Sequence, residues 1–250
     1  MQPNCMQQAA VSGVLDDPSR IPRASHIAWE TTIDHAFSWQ VLLEYRGLLL
    51  NGLLVTLQLS ALGFLFSTAL GVVVGLCRLS DNRIVRSVAA IYVELFRNVP
   101  LIVLIFFLYF GLGMGSFSAA LLGLVLYSGA FMAEVVRSGI ASIPRTQYEA
   151  ARASGLTSAR VNRHVILPQA IAIVLPPLAT EAVNLIKNTA IALTVGVEEL
   201  TFMTQEIDSI TFRGFEAATA ATIVYVVICL LILNAVSLLE RHLKVESRVM

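Results

Sequence analysis

Charge is scarce in this chain: Asp, Glu, Lys and Arg make up only 14% of its 250 residues, about half the share of a typical soluble protein. There are just two lysines, Lys187 and Lys244, and neither follows a glycine. The Gly-x-x-x-x-Gly-Lys-Ser/Thr loop that cradles nucleotide phosphates is therefore missing. The net charge is zero, so no basic face is expected for nucleic acid. The three cysteines, Cys5, Cys77 and Cys229, are widely spaced and read as plain packing or surface residues. The four histidines, His26, His35, His164 and His242, fall in polar or loop segments without metal-ligand spacing. No Gly-x-Ser-x-Gly or comparable nucleophile arrangement occurs. The chain is expected to have no catalytic residue, no metal and no cofactor of its own.

Apolar residues are abundant, at 56% of the chain with a mean hydropathy of +0.75, and they come in long uncharged runs. Residues 47–77 contain no charge, enough for one membrane-spanning helix with interfacial ends. Residues 101–133 are also uncharged but too long for one span, and Gly111, Gly113, Gly115 and Ser116 mark a hairpin turn within them. Residues 165–180 and 217–239 supply two more runs. The reading is an all-α membrane protein with five transmembrane helices, at about 49–77, 88–112, 117–138, 164–187 and 216–240. Residues 1–46 are a polar extension without the continuous apolar core of a signal peptide. Trp29, Trp39 and Tyr45 suit an interfacial position for residues 27–46, the alternative being a disordered tail. The membrane region is 47–243 and the polar tail 244–250.

Orientation follows from the arginines and lysines, which concentrate in cytoplasmic loops. Arg78, Arg83 and Arg86 follow the first helix, Arg137, Arg145, Arg152, Arg160 and Arg163 the third, and Arg241, Lys244 and Arg248 the last. The opposite side carries the acidic group Glu198, Glu199, Glu206 and Asp208. This places the N-terminus outside and the C-terminus inside, as an odd number of crossings requires.

The cytoplasmic loop between the third and fourth helices, residues 139–164, is polar and patterned. Pro144 stops the preceding helix, and Thr146-Gln147-Tyr148-Glu149 has the spacing of a capping box. Ala150, Ala151 and Ala153 propagate a short helix, and Gly155 suits the positive φ at its end. Thr157 or Ser158 then caps a second helix that runs to Pro168. The small side chains of the first helix would let another protein's groove close around its backbone.

Glu149-Ala150-Ala151, three residues, Gly155, nine residues, Val165, one residue and Leu167-Pro168 together resemble the EAA motif of ABC importer permeases. Val165 stands where that family usually has Ile. Glu94 to Leu101, Leu185 to Thr189, Val197 to Leu200 and the stretch Ile143 to Glu149 resemble the polar amino acid branch of the family. The resemblance covers about residues 48–243. It implies a coupling helix formed by Glu149, Ala150, Ala151, Gly155, Leu167 and Pro168, seated in a cleft of a separate cytoplasmic ATPase that uses the ATP. It also implies an extracytoplasmic amino-acid-binding protein, a second permease (a paralogue or an identical copy), and a place in the bacterial inner membrane. Leu104, Thr180 and Ala190 depart from commoner Gln, Asn and Ser in that branch, so the preferred amino acid can differ.

Ionisable groups inside a membrane usually face a bundle interior or a wet cavity. Glu94 and Arg97 are three apart and near enough to pair. Either they neutralise each other, or Arg97 and Asn98, beside a kink at Pro100, belong to the gate or substrate path. Glu134 and Arg137 repeat the spacing as an interfacial pair. Pro168, Pro176 and Pro177 are expected to bend the fourth helix, beyond which Glu181, Asn184 and Lys187 form a polar stripe. That stripe suits a path for zwitterions, unless Glu181 and Lys187 merely satisfy each other or a neighbouring helix. Residues 188–200 are too short to span and read as a re-entrant or capping segment. Gly71 and Gly75 make a small-x-x-x-small face, for a second permease or for packing within the chain. A competing class, an ion-coupled secondary transporter or channel, would need an inverted repeat or midplane carboxylates. No clear repeat is visible. An intramembrane enzyme is disfavoured by the missing catalytic constellation.

Overall fold

The computed structural model describes residues 37–249, with side chains placed for residues 37–238. Residues 27–36 of the expected interfacial stretch therefore lie outside the described residues, as does Cys5. All elements named below belong to one compact unit that begins at Trp39, and among the described residues every regular element is helical. In order these are α1 (Trp39–Glu44), α2 (Arg46–Cys77), α3 (Arg83–Asn98), α4 (Leu101–Phe106), α5 (Ser116–Ala141), α6 (Arg145–Ala153), α7 (Ser158–Val161), α8 (Leu167–Asn188), α9 (Leu200–Thr211) and α10 (Gly214–Val249).

Among the described residues, four helical stretches are long and apolar enough to cross a membrane: Arg46–Cys77, Ser116–Ala141, Ser158–Val195 and Gly214–Leu238. The expected second helix, 88–112, is not one rod. It breaks into α3 and the stretch from Leu101 to Gly111, bent by 103°. Pro100 explains the break, because a proline drives the residue before it out of the helical region. Val99 is extended, with φ −85° and ψ 128°, and Pro100 heads the next helix by accepting from the Leu104 N–H at 3.1 Å. A fifth crossing exists only if the two bent pieces count as one.

The expected bend in the fourth helix takes another form. α8 continues through Pro176 and Pro177, and the irregularity precedes Pro168 as a π-helical turn over Asn162–Ile166. Pro168 has no N–H to donate and its ring crowds the carbonyl four residues back. The wider turn relieves that crowding, and the Leu167 N–H donates to the Asn162 carbonyl.

The seam between α2 and α5 organises the fold. Along α2, Gly52, Thr56, Ser60, Gly63, Ser67, Gly71 and Gly75 recur every three or four residues and are all buried. A Cβ on Gly71 would lie 2.6 Å from the Met132 Cβ and 3.1 Å from the Ala133 nitrogen. One on Gly75 would lie 2.8 Å from the Ala133 oxygen. The Gly71–Gly75 face is therefore spent inside this chain, where lost side-chain volume lets two backbones approach. The Ser60 hydroxyl is buried on the same stripe with no hydrogen-bond partner, so at this position small size matters more than polarity.

Residues 189–195 form a 3-10 helix that ends at Gly196 with φ 78°. They continue directly from α8 and close one end of the core: Ala192, Val195 and Val197 pack with Leu59, Leu101, Ile105, Ala120 and Leu124. Glu199 follows and is fully buried. Its carboxylate accepts from the N–H groups of Thr201 and Phe202, at 2.9 and 2.8 Å, and from the Tyr225 hydroxyl at 2.9 Å. The Leu200 N–H donates to Thr56 Oγ1 at 3.0 Å. The first N–H groups of α9 are thus satisfied by Thr56 of α2 and by Glu199, to which Tyr225 of α10 also donates, so α2, α9 and α10 meet at one node.

Candidate functional site

Two regions carry the polar chemistry. The first is the loop between α5 and α8. Its helix α6 has no buried residue, and Glu149 and Ala150 are exposed while Ala151 is half-buried. The expected capping box is not formed. The helix begins at Arg145, with Pro144 in the capping position and no side-chain cap, so Thr146 is already the second helical residue. The extended ψ of Pro144 (137°) lets the Gln147 N–H reach its carbonyl at 3.0 Å, and the helix starts two residues earlier than a Thr146 cap would allow.

The end of α6 follows the sequence reading. Gly155 has φ 85°; its N–H donates to Arg152 O at 3.0 Å, and the next N–H, from Leu156, reaches Ala151 O at 3.3 Å. These two bonds define a Schellman motif, with glycine at the left-handed position. Thr157 occupies the cap of α7 but makes no side-chain bond there. The hydroxyl of the other candidate, Ser158, instead accepts from the Tyr148 hydroxyl at 3.0 Å, so the two short helices clasp each other. Leu167 is exposed and Pro168 stands in the first turn of α8, so those two lie at the far end of the loop from α6.

The second region is a cavity of about 380 Å³, lined by Tyr127, Ser128 and Phe131 of α5 and by Glu181, Asn184, Lys187 and Asn188 at the end of α8. The predicted stripe of Glu181, Asn184 and Lys187 thus faces one space. Glu181 and Lys187 form no ion pair with each other, so their charges are available to the cavity. Helical spacing alone explains the alignment, since residues three apart share a face. Sequence reasoning missed Tyr127, Ser128, Phe131 and Asn188. The first three sit within an uncharged span and differ from packing residues only through the neighbour they meet.

Arg97, Asn98 and Pro100 divide. The Glu94–Arg97 pair is not formed. Arg97 reaches across to α5, its guanidinium carbon 5.1 Å from the centroid of the Phe131 ring. The Asn98 amide instead turns back to donate to the Glu94 carbonyl at 2.6 Å. Asn98 lies with Glu94, Leu95 and Val99 on a separate groove, and Pro100 makes the bend without lining the cavity. The cavity therefore gathers Glu181, Asn184 and Lys187; Arg97 stands beside it against the lining ring of Phe131, and neither Asn98 nor Pro100 lines it.

Near the other end of α5, Glu134 pairs with Arg137 as the spacing predicted, and also with Arg78 just beyond α2. Arg78 was not anticipated, because 56 residues separate it from Glu134.

A protein-family model for the binding-protein-dependent transport system inner membrane component matches residues 67–245. The chain is 34% identical over 216 residues to the glutamine transport system permease protein GlnP of Escherichia coli, covering 84% of this chain and 99% of that protein. It is 34% identical over 221 residues to the glutamate/aspartate import permease protein GltJ of Escherichia coli, covering 81% and 90% respectively. A crystal structure of an amino acid ABC transporter with histidines superposes with a TM-score of 0.77 at 33% identity, covering 82% of this chain and 98% of that one. With its apolar helical stretches, its exposed loop helices and a match over most of its length, the chain belongs to the inner membrane components of binding-protein-dependent transport systems, the permease subunits of ABC importers.

Proposed function

We propose that this chain forms half of the translocation pathway of an amino acid importer in a bacterial cytoplasmic membrane. α3 and α4 together make one of five crossings, with the N-terminus outside and the C-terminus inside. Five crossings per chain are too few to enclose a path, so a second permease completes it. The observation that carries the reading is α6: a helix without a buried residue, closed by a glycine at φ 85°, projecting from an otherwise apolar chain. Glu149, Ala150, Ala151 and Gly155 present this knob to a cytoplasmic ATPase, and Leu167 and Pro168 join the loop to α8. ATP is bound and consumed on that partner. A binding protein delivers substrate to the opposite face.

Closure of two ATPase subunits around ATP pulls the knobs together, and the knobs move α5 and α8, which the loop connects. The helices then switch between inward- and outward-open states, which the nucleotide and the loaded binding protein stabilise differently. The cavity sits between those same two helices. Lys187 and Arg97 suit a carboxylate and Glu181 an ammonium, so a zwitterion fits the charges. The names of the relatives, for glutamine and for glutamate/aspartate, favour polar amino acids.

The test is co-purification and uptake. The wild-type permease should retain its ATPase through detergent extraction and drive ATP-dependent amino acid uptake in proteoliposomes with the binding protein present. Glu149→Lys and Gly155→Asp should each lose the ATPase and at least nine-tenths of uptake while the permease remains folded. Accumulation by vesicles holding this permease and no ATPase would refute the reading.

A further inference from the structure

Arg97 ends α3 as an exposed cation that forms no ion pair among the described residues. Such a group is costly at membrane depth unless something else holds it. Here the holder is a ring: the guanidinium carbon stands 5.1 Å from the Phe131 centroid. Phe131 in turn contacts Tyr127, one turn earlier on α5, with ring centroids 5.0 Å apart. Both rings line the cavity that contains Glu181 and Lys187.

The mode of holding matters. A phenyl ring has no oxygen or nitrogen acceptor, so a guanidinium held against it keeps its planar edge of five N–H donors out of any ion pair. An ion pair with Glu94 would instead occupy that donor edge, because a carboxylate binds the fork in the plane. Phe131 therefore fixes the position of Arg97 without using the atoms that recognise an anion. We infer that Phe131 is a positioning residue that presents Arg97 at the cavity rim as the receiver of a substrate's α-carboxylate, leaving the ammonium to Glu181. This rests on the cavity being the substrate path, as proposed above.

The experiment uses the permease assembled with its ATPase in lipid nanodiscs, without binding protein, so that the permease alone selects. Binding isotherms are measured for L-glutamine, L-glutamate, L-aspartate and L-histidine, and the tightest of the four is compared with its own α-carboxamide. The wild type should prefer the acid at least tenfold, and Arg97→Gln should remove the preference. Phe131→Leu, which keeps bulk but has no π face, should lose about tenfold of it, whereas Phe131→Tyr should retain it. Phe131→Met is the substitute if the leucine variant does not assemble. Full preference in the ring-less variants would overturn the role of Phe131 and leave the cavity reading standing. An Arg97→Gln protein that keeps the preference would overturn Arg97 as the receiver, and a wild type that binds none of the four would overturn the cavity reading itself.

Discussion

Glu199 and Glu181 are both carboxylates held among helices, and the structure treats them in opposite ways. Glu199 is sealed: two backbone N–H groups and a tyrosine hydroxyl take both its oxygens. Glu134, between Arg78 and Arg137, is similarly committed. Glu181 forms no ion pair among the described residues and, with Asn184 beside it, faces a cavity shared with Lys187. A carboxylate whose oxygens are all engaged serves as a rivet, because removing it strands its donors. One left open retains capacity for something that arrives and leaves. The comparison separates carboxylates whose oxygens are committed within the bundle from one that faces a cavity, although composition places both in the same class.

The largest expected effect comes from removing a rivet. Glu199→Ala leaves the half-buried N–H groups of Thr201 and Phe202 without their acceptor and should cost about 2 kcal/mol. The check is the thermal midpoint in detergent, with uptake per folded molecule unchanged. Glu181→Gln should do the reverse, lowering uptake about tenfold, equivalent to about 1.4 kcal/mol, with the midpoint and ATPase docking preserved. Wild-type uptake by that variant would remove Glu181 from the path and collapse the contrast.

The smallest effect is a pH dependence. Burial raises the Glu199 carboxyl above its ordinary value of 4.5, outweighing the hydrogen bonds that favour its charge. The folded chain then holds a proton where the unfolded chain has already released it. Stability from this residue is present below the unfolded pKa and is lost as pH rises through the folded one. Between pH 4.5, that ordinary value, and neutrality, the wild-type midpoint should therefore fall relative to Glu199→Gln. Parallel pH profiles for the two proteins would show that burial does not control this group.

Much of the site was legible in the sequence because its information is local. The close of α6 at Gly155 depends on a single residue's φ. The break at Pro100 needs only the missing N–H and the crowding of Val99. Glu181, Asn184 and Lys187 share a face through helical periodicity. The failures were choices between adequate local options. Thr146 and Pro144 can both head α6, and the extended backbone of Pro144 prevailed. Glu94 and Phe131 can both hold Arg97, and Phe131 was invisible as a competitor because 34 positions separate it from Arg97 in the chain.

The sequence by itself determined that the protein is helical and membrane-embedded, where its chain breaks, and that a capped polar knob interrupts the apolar runs. Hydrophobic length, proline and glycine act within a few residues, so no partner is needed to read them. Only the tertiary structure decided that the α2 stripe is shared among α5, α8 and α9, that Glu199 is a buried cap, that Arg78 joins Glu134, and that Arg97 lies on Phe131. Each of these depends on which side chain from a distant helix fills the neighbouring space. That is set by packing all the helices together, and no local pattern encodes it.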